Sequence, residues 1–345
     1  SGSTIANTAM LGGTLLPGLV DCHVHLCMGG EGNPASVQAM MTPGQITMAA
    51  YKHAQTSLMG GITALRDCGG KDYLELAVRD ACNSGAQIGP SILCSGKIIC
   101  MTGGHGNRNG RIADGVDEVI KAVREQIYAG SDLIKLMATG GVMTPGVSPE
   151  DAHFTAEEMA GVAEGKRFHK RAASHAQGGL GILNAVRAGV ASIEHGIFMD
   201  DQCLKEMLEA GTYLVPTLAA VKNIVSNKDN GVPLQAVEKA IRVEERHIQS
   251  IKMFYDAGGK IAMGTDAPMD AIIFSTSNGI DLMGLEERGT VAEGNHADLL
   301  IVDGDPLADI DRVADRANHR MVVKNGVPAR IRTDDAEHET RSPAD

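Results

Sequence analysis

Short β-like runs alternate with helix-like segments along most of this chain, and that alternation leaves few architectures open. The runs cover residues 16–25, 62–68, 91–99, 133–138, 171–176, 191–195, 212–218 and 260–265. Between them, residues 116–129 carry Val119, Ile120, Val123 and Ile127 at helical spacing, and residues 156–169 and 179–188 have the same character. Thr155 followed by Glu157 and Glu158 reads as a helix start. Gly130, Gly189, Gly211 and Gly258 stand where helices stop. Repeated strand–helix alternation predicts a parallel sheet with helical crossovers. Eight units close into a (β/α)8 barrel or lie open as a doubly wound sheet.

The polar residues choose between the two. Candidates for chemistry fall on the first, fourth, fifth, sixth and eighth runs, towards their C-terminal ends. An open sheet would spread them along a line, whereas a barrel gathers them at one mouth. The expected fold is therefore α/β: a TIM barrel over residues 16–285. A change of pattern follows it. Residues 289–297 are turn-rich and lead into Asp298-Leu299-Leu300-Ile301-Val302, and Met321-Val322-Val323-Lys324 turns at Asn325-Gly326. These read as hairpin strands. With residues 1–15 they predict a small, truncated β-sandwich formed by the termini, over 1–15 and 286–331, and a charged, disordered tail over 332–345.

Composition narrows the function classes. Against 31 basic residues stand 43 acidic ones, a net charge of −12, which argues against a nucleic-acid surface. No apolar run is long enough to span a bilayer. The seven cysteines show no C-x-x-C spacing and read as buried thiols in a reducing compartment. With no secretory signal visible, the expected location is cytoplasmic. Tryptophan is absent, so the core must come from Leu, Ile, Val, Ala and Met. Helical barrel exteriors support self-association, making a homo-oligomer the macromolecular partner to expect.

The chemistry starts at His23-Val24-His25. Alternation on a strand sends residues i and i+2 to one face, so the two imidazoles point together. Taken alone, such a pair is common. His175 in Ser174-His175-Ala176-Gln177 and His195 in Ile193-Glu194-His195-Gly196 would each serve equally as hydrogen-bonded core residues, and Asp266 in Gly264-Thr265-Asp266-Ala267-Pro268 as a turn cap. Together, four histidines and an aspartate at strand ends match the imidazole–carboxylate set of Zn²⁺ and similar ions. Lys135 sits in the apolar strand Leu133-Ile134-Lys135-Leu136-Met137. An ammonium there is costly to bury. It must snorkel out, pair with an acid, or react as the neutral amine with CO2 to give a carbamate, an anionic ligand able to bridge two divalent cations.

These pieces resemble the amidohydrolase superfamily. The matching stretches are Pro17-Gly18-Leu19-Val20-Asp21-Cys22-His23-Val24-His25, the strand lysine 135, His175, Glu194-His195-Gly196, Gly264-Thr265-Asp266 and Gly289-Thr290-Val291-Ala292-Glu293-Gly294-Asn295-His296-Ala297-Asp298-Leu299, and the likeness covers residues 12–330. Thr102-Gly103-Gly104-His105-Gly106 and Ala138-Thr139-Gly140-Gly141-Val142 are similar to the binuclear Xaa-Pro and Xaa-Arg dipeptidase group (peptidase family M38, imidazolonepropionase-related), which includes amidases for mycotoxins such as ochratoxin A.

The resemblance implies two divalent cations, Zn²⁺ by default, with Mn²⁺, Co²⁺ and Fe²⁺ as alternatives. His23, His25 and Asp266 would bind the more buried one, His175 and His195 the second, and carboxylated Lys135 would bridge them. A bridging hydroxide would attack the amide carbon, with Asp266 moving the proton to the leaving amine. His105 would hold the oxyanion or a substrate carboxylate, and Gln177 would also face the substrate. The implied substrate is a small-molecule amide, either a dipeptide or an N-acyl amino acid. The rivals are a non-peptide amide such as ochratoxin A, and a mononuclear deaminase or cyclic-imide hydrolase, whose members generally lack the bridging lysine. Against the family pattern, the stretch before Leu16, the loop after His105 and the segment after Asp270 are short.

Overall fold

The computed structural model describes residues 13–266 and 276–332. Its strands are β1 (Thr14–Pro17), β2 (Leu19–Val24), β3 (Ile62–Asp67), β4 (Ser91–Cys94), β5 (Ile99–Cys100), β6 (Arg111–Ile112), β7 (Leu133–Met137), β8 (Arg171–Ala176), β9 (Ser192–His195), β10 (Tyr213–Val215), β11 (Leu299–Val302), β12 (His319–Lys324) and β13 (Val327–Ile331). Strands β2, β3 and β4 pair in parallel, as do β7, β8, β9 and β10. Three further contacts close the ring. Asp132 N donates to Cys94 O at 2.8 Å, Leu214 pairs in parallel with Ile261, and Cys22 N donates to Met263 O at 2.8 Å. The result is the expected barrel, with residues 261–263 as its last stave.

The run 260–265 forms no strand beyond the single bridge at Ile261, and three other runs divide or end early, each for a local reason. Run 16–25 divides at Gly18. β1 pairs antiparallel with β11, and only β2 enters the barrel. At the crossing, a Cβ on Gly18 would lie 2.2 Å from Thr63 Oγ1, so the chain passes closer to β3 than any side chain permits. Run 91–99 breaks at Gly96, whose φ of +69° bends the chain between β4 and β5. Run 212–218 ends as a strand at Val215, because Thr217 takes a left-handed φ of +52° and starts the helix Leu218–Ser226.

The helices cover the barrel's outside. Val116–Ala129 buries Val119, Ala122 and Val123, and Gly179–Ala188 buries Ile182, Leu183 and Val186. Both pack on Ile134, Leu136, Ile193 and Leu214. Strand alternation then turns Lys135 and Met137, between and beyond those apolar residues, towards the interior. Segment 156–169 is helical but not uniform: Ala156–Met159 is capped by the reciprocal Thr155–Glu158 box, Ala160–Val162 is a 3-10 turn, and Ala163–Arg167 resumes the α-helix.

Strands β1, β11, β12 and β13 form an antiparallel sheet in that order. Its hairpin turns at Asn325 and Gly326, with φ of +49° and +79°, the conformation an Asn-Gly hairpin favours. Leu300, Val302 and Val322 pack with Leu58, Ile62 and Leu65, and Arg330 donates to Met59 O, which seats the sheet on the helix Pro43–Met59. The expectations for residues 1–12, for the stretch 267–275 and for the tail from 333 lie outside the described residues. Among the described residues, no helix is long and apolar enough to cross a membrane.

Candidate metal centre

A cavity opens at the C-terminal ends of the barrel strands. Its lining brings together His23, His25, His105, Lys135, His175, Gln177, His195 and Asp266. The lining also includes the apolar residues Met137, Val142, Met143, Ile197, Val221 and Ile224. His23 and His25 each present Nε2 3.3 Å from Asp266 Oδ1. His175 bridges the rest, its ring centre 4.5 Å from those of His195 and His105. One ligand atom each of His23, His195 and Asp266 lies within 4.8 Å of the others.

The hydrogen bonds on the outer side of these rings fix what the inner side offers. His23 Nδ1 donates to Glu194 Oε2 at 2.7 Å, His25 Nδ1 to Gly69 O at 2.9 Å, and His175 Nε2 to Gly140 O at 2.8 Å. Thr217 Oγ1 donates to Pro216 O, so it accepts from His195 Nδ1 at 2.6 Å. Each ring therefore has one nitrogen engaged by an outward partner and turns the other to the cavity, the orientation that metal-binding imidazoles take. Burial drives His175 and His195 well below the ordinary imidazole range, for His195 against the opposing pull of Asp266, so both are neutral. Burial alone would raise Asp266, but His23 and His25 outweigh it and hold the group as a carboxylate.

Lys135 is 1 % exposed, at the middle of β7, not at its end. Its four-carbon stem carries Nζ up to the cavity. Among the described residues no carboxylate or carbonyl pairs with it. Four oriented imidazoles and a carboxylate on one cavity are a donor set that suits divalent cations.

Beneath the cavity, sequence reasoning missed a polar barrel interior. Arg66 Nη2 meets Glu194 Oε1 at 2.8 Å, and its other nitrogens donate to Cys22 O and Ser192 Oγ. Burial would raise the Glu194 carboxyl, but Arg66, His23 and Lys135 together pull it below the usual range. Alternation held the clue, because Ser192 and Glu194 sit two apart on β9. The left-handed turn of His195, φ +73°, then lets the next residue also reach the cavity. His195 is gripped twice, by Thr217 at its ring and by His247 Nε2, which donates to His195 O at 3.1 Å. No pattern in the sequence announces His247, which lies on the helix Leu234–Asp256.

His105 is set by the loop that follows β7. Its Nδ1 bonds Thr144 Oγ1 at 2.7 Å, and its ring lies flat against Gly141, where a Cβ would come within 2.5 Å. Lys239 Nζ holds that loop through three carbonyls: Thr144 O at 2.8 Å, Val147 O at 2.7 Å and Gly141 O at 3.3 Å. Burial lowers His105 to about 4, leaving it neutral and able to donate one N–H. Gln177 donates its backbone N–H to Thr139 Oγ1, while its side-chain Oε1 is buried with no partner among the described residues.

Comparison with known proteins shows the family. The family description "Amidohydrolase family" matches residues 14–329. The chain belongs to the amidohydrolase family. This amidohydrolase is 29 % identical to the ochratoxinase of Aspergillus niger over 350 residues, 86 % of this chain and 71 % of the relative. Among solved structures, a Xaa-Pro dipeptidase with bound methionine in its active site superposes with a TM-score of 0.84 at 33 % identity, covering 92 % of this chain and 86 % of the other. A prolidase complexed with N-methylphosphonate-L-proline gives 0.85 at 29 % identity, over 92 % and 87 %. Amidohydrolase-family enzymes are typically metal-dependent, and this one carries residues able to hold metal.

Proposed function

We propose that this amidohydrolase cleaves the amide bond of a dipeptide or an N-acyl amino acid, using two divalent cations. The observation that carries the reading is the set of four imidazoles whose N–H groups are all engaged outward, around an unpaired Lys135. His23, His25 and Asp266 would hold one cation and His175 and His195 the other, with Lys135 bridging as its carbamate. When bound, the cations acidify water and polarise the scissile carbonyl.

The chain's own groups supply the rest. Asp266, kept ionised by the histidines around it, takes a proton on its carboxylate and returns it to the departing amine nitrogen. Neutral His105 turns an N–H to the developing oxyanion or to the substrate's carboxylate. Gln177 offers an unmatched amide oxygen to a substrate N–H. Val142, Met143, Val221 and Ile224 exclude water and favour an apolar substituent on the substrate.

The similarity to ochratoxinase supports a second reading, a non-peptide amide such as that of ochratoxin A as substrate. A one-metal deaminase or cyclic-imide hydrolase is disfavoured, since it has no use for an inward-facing lysine. The test is a metal-loaded sample offered Xaa-Pro dipeptides, N-acyl amino acids and ochratoxin A, with free amine as the readout and metal counted per chain. Release from the first two classes is expected, with two metals per chain. Turnover of ochratoxin A alone would favour the second reading, and no amine from any of them overturns both.

A further inference from the structure

Residues 139–147, which leave β7, touch the candidate site at several points. Gly140 O accepts from His175 Nε2 at 2.8 Å, and Thr144 Oγ1 pairs with His105 Nδ1 at 2.7 Å. Thr139 Oγ1 accepts from Gln177 N at 3.0 Å, and Val142 and Met143 line the cavity. The base of this loop is tied down, by the bridge of Thr139 with Ala152 and by Gly140 N, which donates to Asp151 O. Its tip is not. Among the described residues, no main-chain hydrogen bond joins 141–147 to the rest of the protein.

One side chain makes up for that. Lys239 Nζ donates to Gly141 O, Thr144 O and Val147 O, so all three of its N–H groups are spent on the tip. Among the described residues no carboxylate pairs with it, whereas Arg242, about one turn on, takes Glu150 at 3.3 Å. The lysine rises from a fixed base: Ala236, Ala240 and Val243 of its helix are buried in one cluster with Val142 and Ile197. Further along, the same helix donates from His247 Nε2 to His195 O and from Ser250 Oγ to Ile197 O. It therefore bears on both imidazoles proposed for the second cation, on His195 directly and on His175 through Gly141 and its neighbour Gly140. We propose that Lys239 is a positioning residue: by clamping residues 141–147 it aims His105 at the substrate and His175 at its cation. The kinetic consequence rests on the amide-hydrolysis reading; the hold on the loop does not.

Three readouts on K239M test this, with dichroism and melting temperature confirming the fold. A nitroxide on Pro145→Cys, at the exposed tip, reports the loop alone, since all seven native cysteines are buried. Its spectrum should pass from slow to mobile in K239M. Competition with a chelator should show one cation held about tenfold more weakly, as when a group behind a ligand is lost. On the amide that wild type cleaves best, kcat should fall by roughly 10²-fold, the cost of about 1 Å of misplacement, with KM moving far less. K239R keeps a cation with several N–H donors and should recover most of both losses. Thr144→Val cuts only the link to His105, so K239M/T144V should be slower than K239M by no more than about twofold. A label equally slow in K239M overturns the clamp. Unchanged kcat and cation affinity in K239M, or rate losses that multiply in K239M/T144V, overturn the positioning role. A wild type that releases amine from no amide sinks the hydrolase reading instead, and the label and the cation titration still decide Lys239.

Discussion

Glu194 Oε2 lies 2.7 Å from His23 Nδ1, and through this contact the barrel's interior salt bridge reaches the candidate metal centre. The same carboxylate holds Arg66 at 2.8 Å, with both residues almost wholly buried. Glu194→Gln keeps the shape and removes the charge. Arg66 is then left as an uncompensated buried cation, a change that costs about 3–5 kcal/mol. His23 loses a charged acceptor, which lowers metal affinity by about 10- to 100-fold. Thermal unfolding and a competitive metal titration should show both losses together. A variant with wild-type affinity would separate the salt bridge from the site.

Lys135→Ala removes the proposed bridge and opens a space the size of a short carboxylic acid. Activity should fall below detection and return in part with added formate, acetate or propionate, because their carboxylates supply the missing anionic oxygens. Metal content should drop and recover in the same order. An alanine variant that works unaided would rule out the carbamate.

The sequence made the barrel legible because its strands and helices differ in period, and made the inward histidines legible because they fall at strand ends. Its limits are physical. Gly18 and Gly96 break predicted runs through close contact and a positive φ, which composition does not reveal. Arg66 and Glu194 satisfy one another across the barrel, 128 positions apart, so neither looks like core until the ring is closed. His247 and Lys239 act on His195 and on the His105 loop from a helix whose pattern shows only that it is amphipathic.

Asp266→Asn tests proton transfer apart from assembly. The amide keeps one oxygen for a cation and Nδ2 in place of the second, but it cannot accept and return a proton. Turnover should fall by about 10²–10⁴-fold, the range ascribed to a positioned acid–base group, with the melting temperature and most of the metal retained. The KM should move little by comparison. Rates near wild type would remove Asp266 from the proton path.

Acid should destabilise this protein through His247. Burial lowers its ring to about 4, opposed in part by the bond to His195 O. The unfolded ring titrates near 6.5, so below that pH the unfolded chain binds a proton that the folded chain refuses. The stability tied to the neutral ring is complete above about 6.5 and is lost as the pH falls towards 4. His247→Gln keeps a side-chain N–H able to reach His195 O and cannot titrate. Chemical denaturation of the metal-free protein across this window should therefore show a shallower acid slope for the glutamine variant, with the two proteins converging in their pH dependence above about 7. Equal slopes would place the acid sensitivity in other groups.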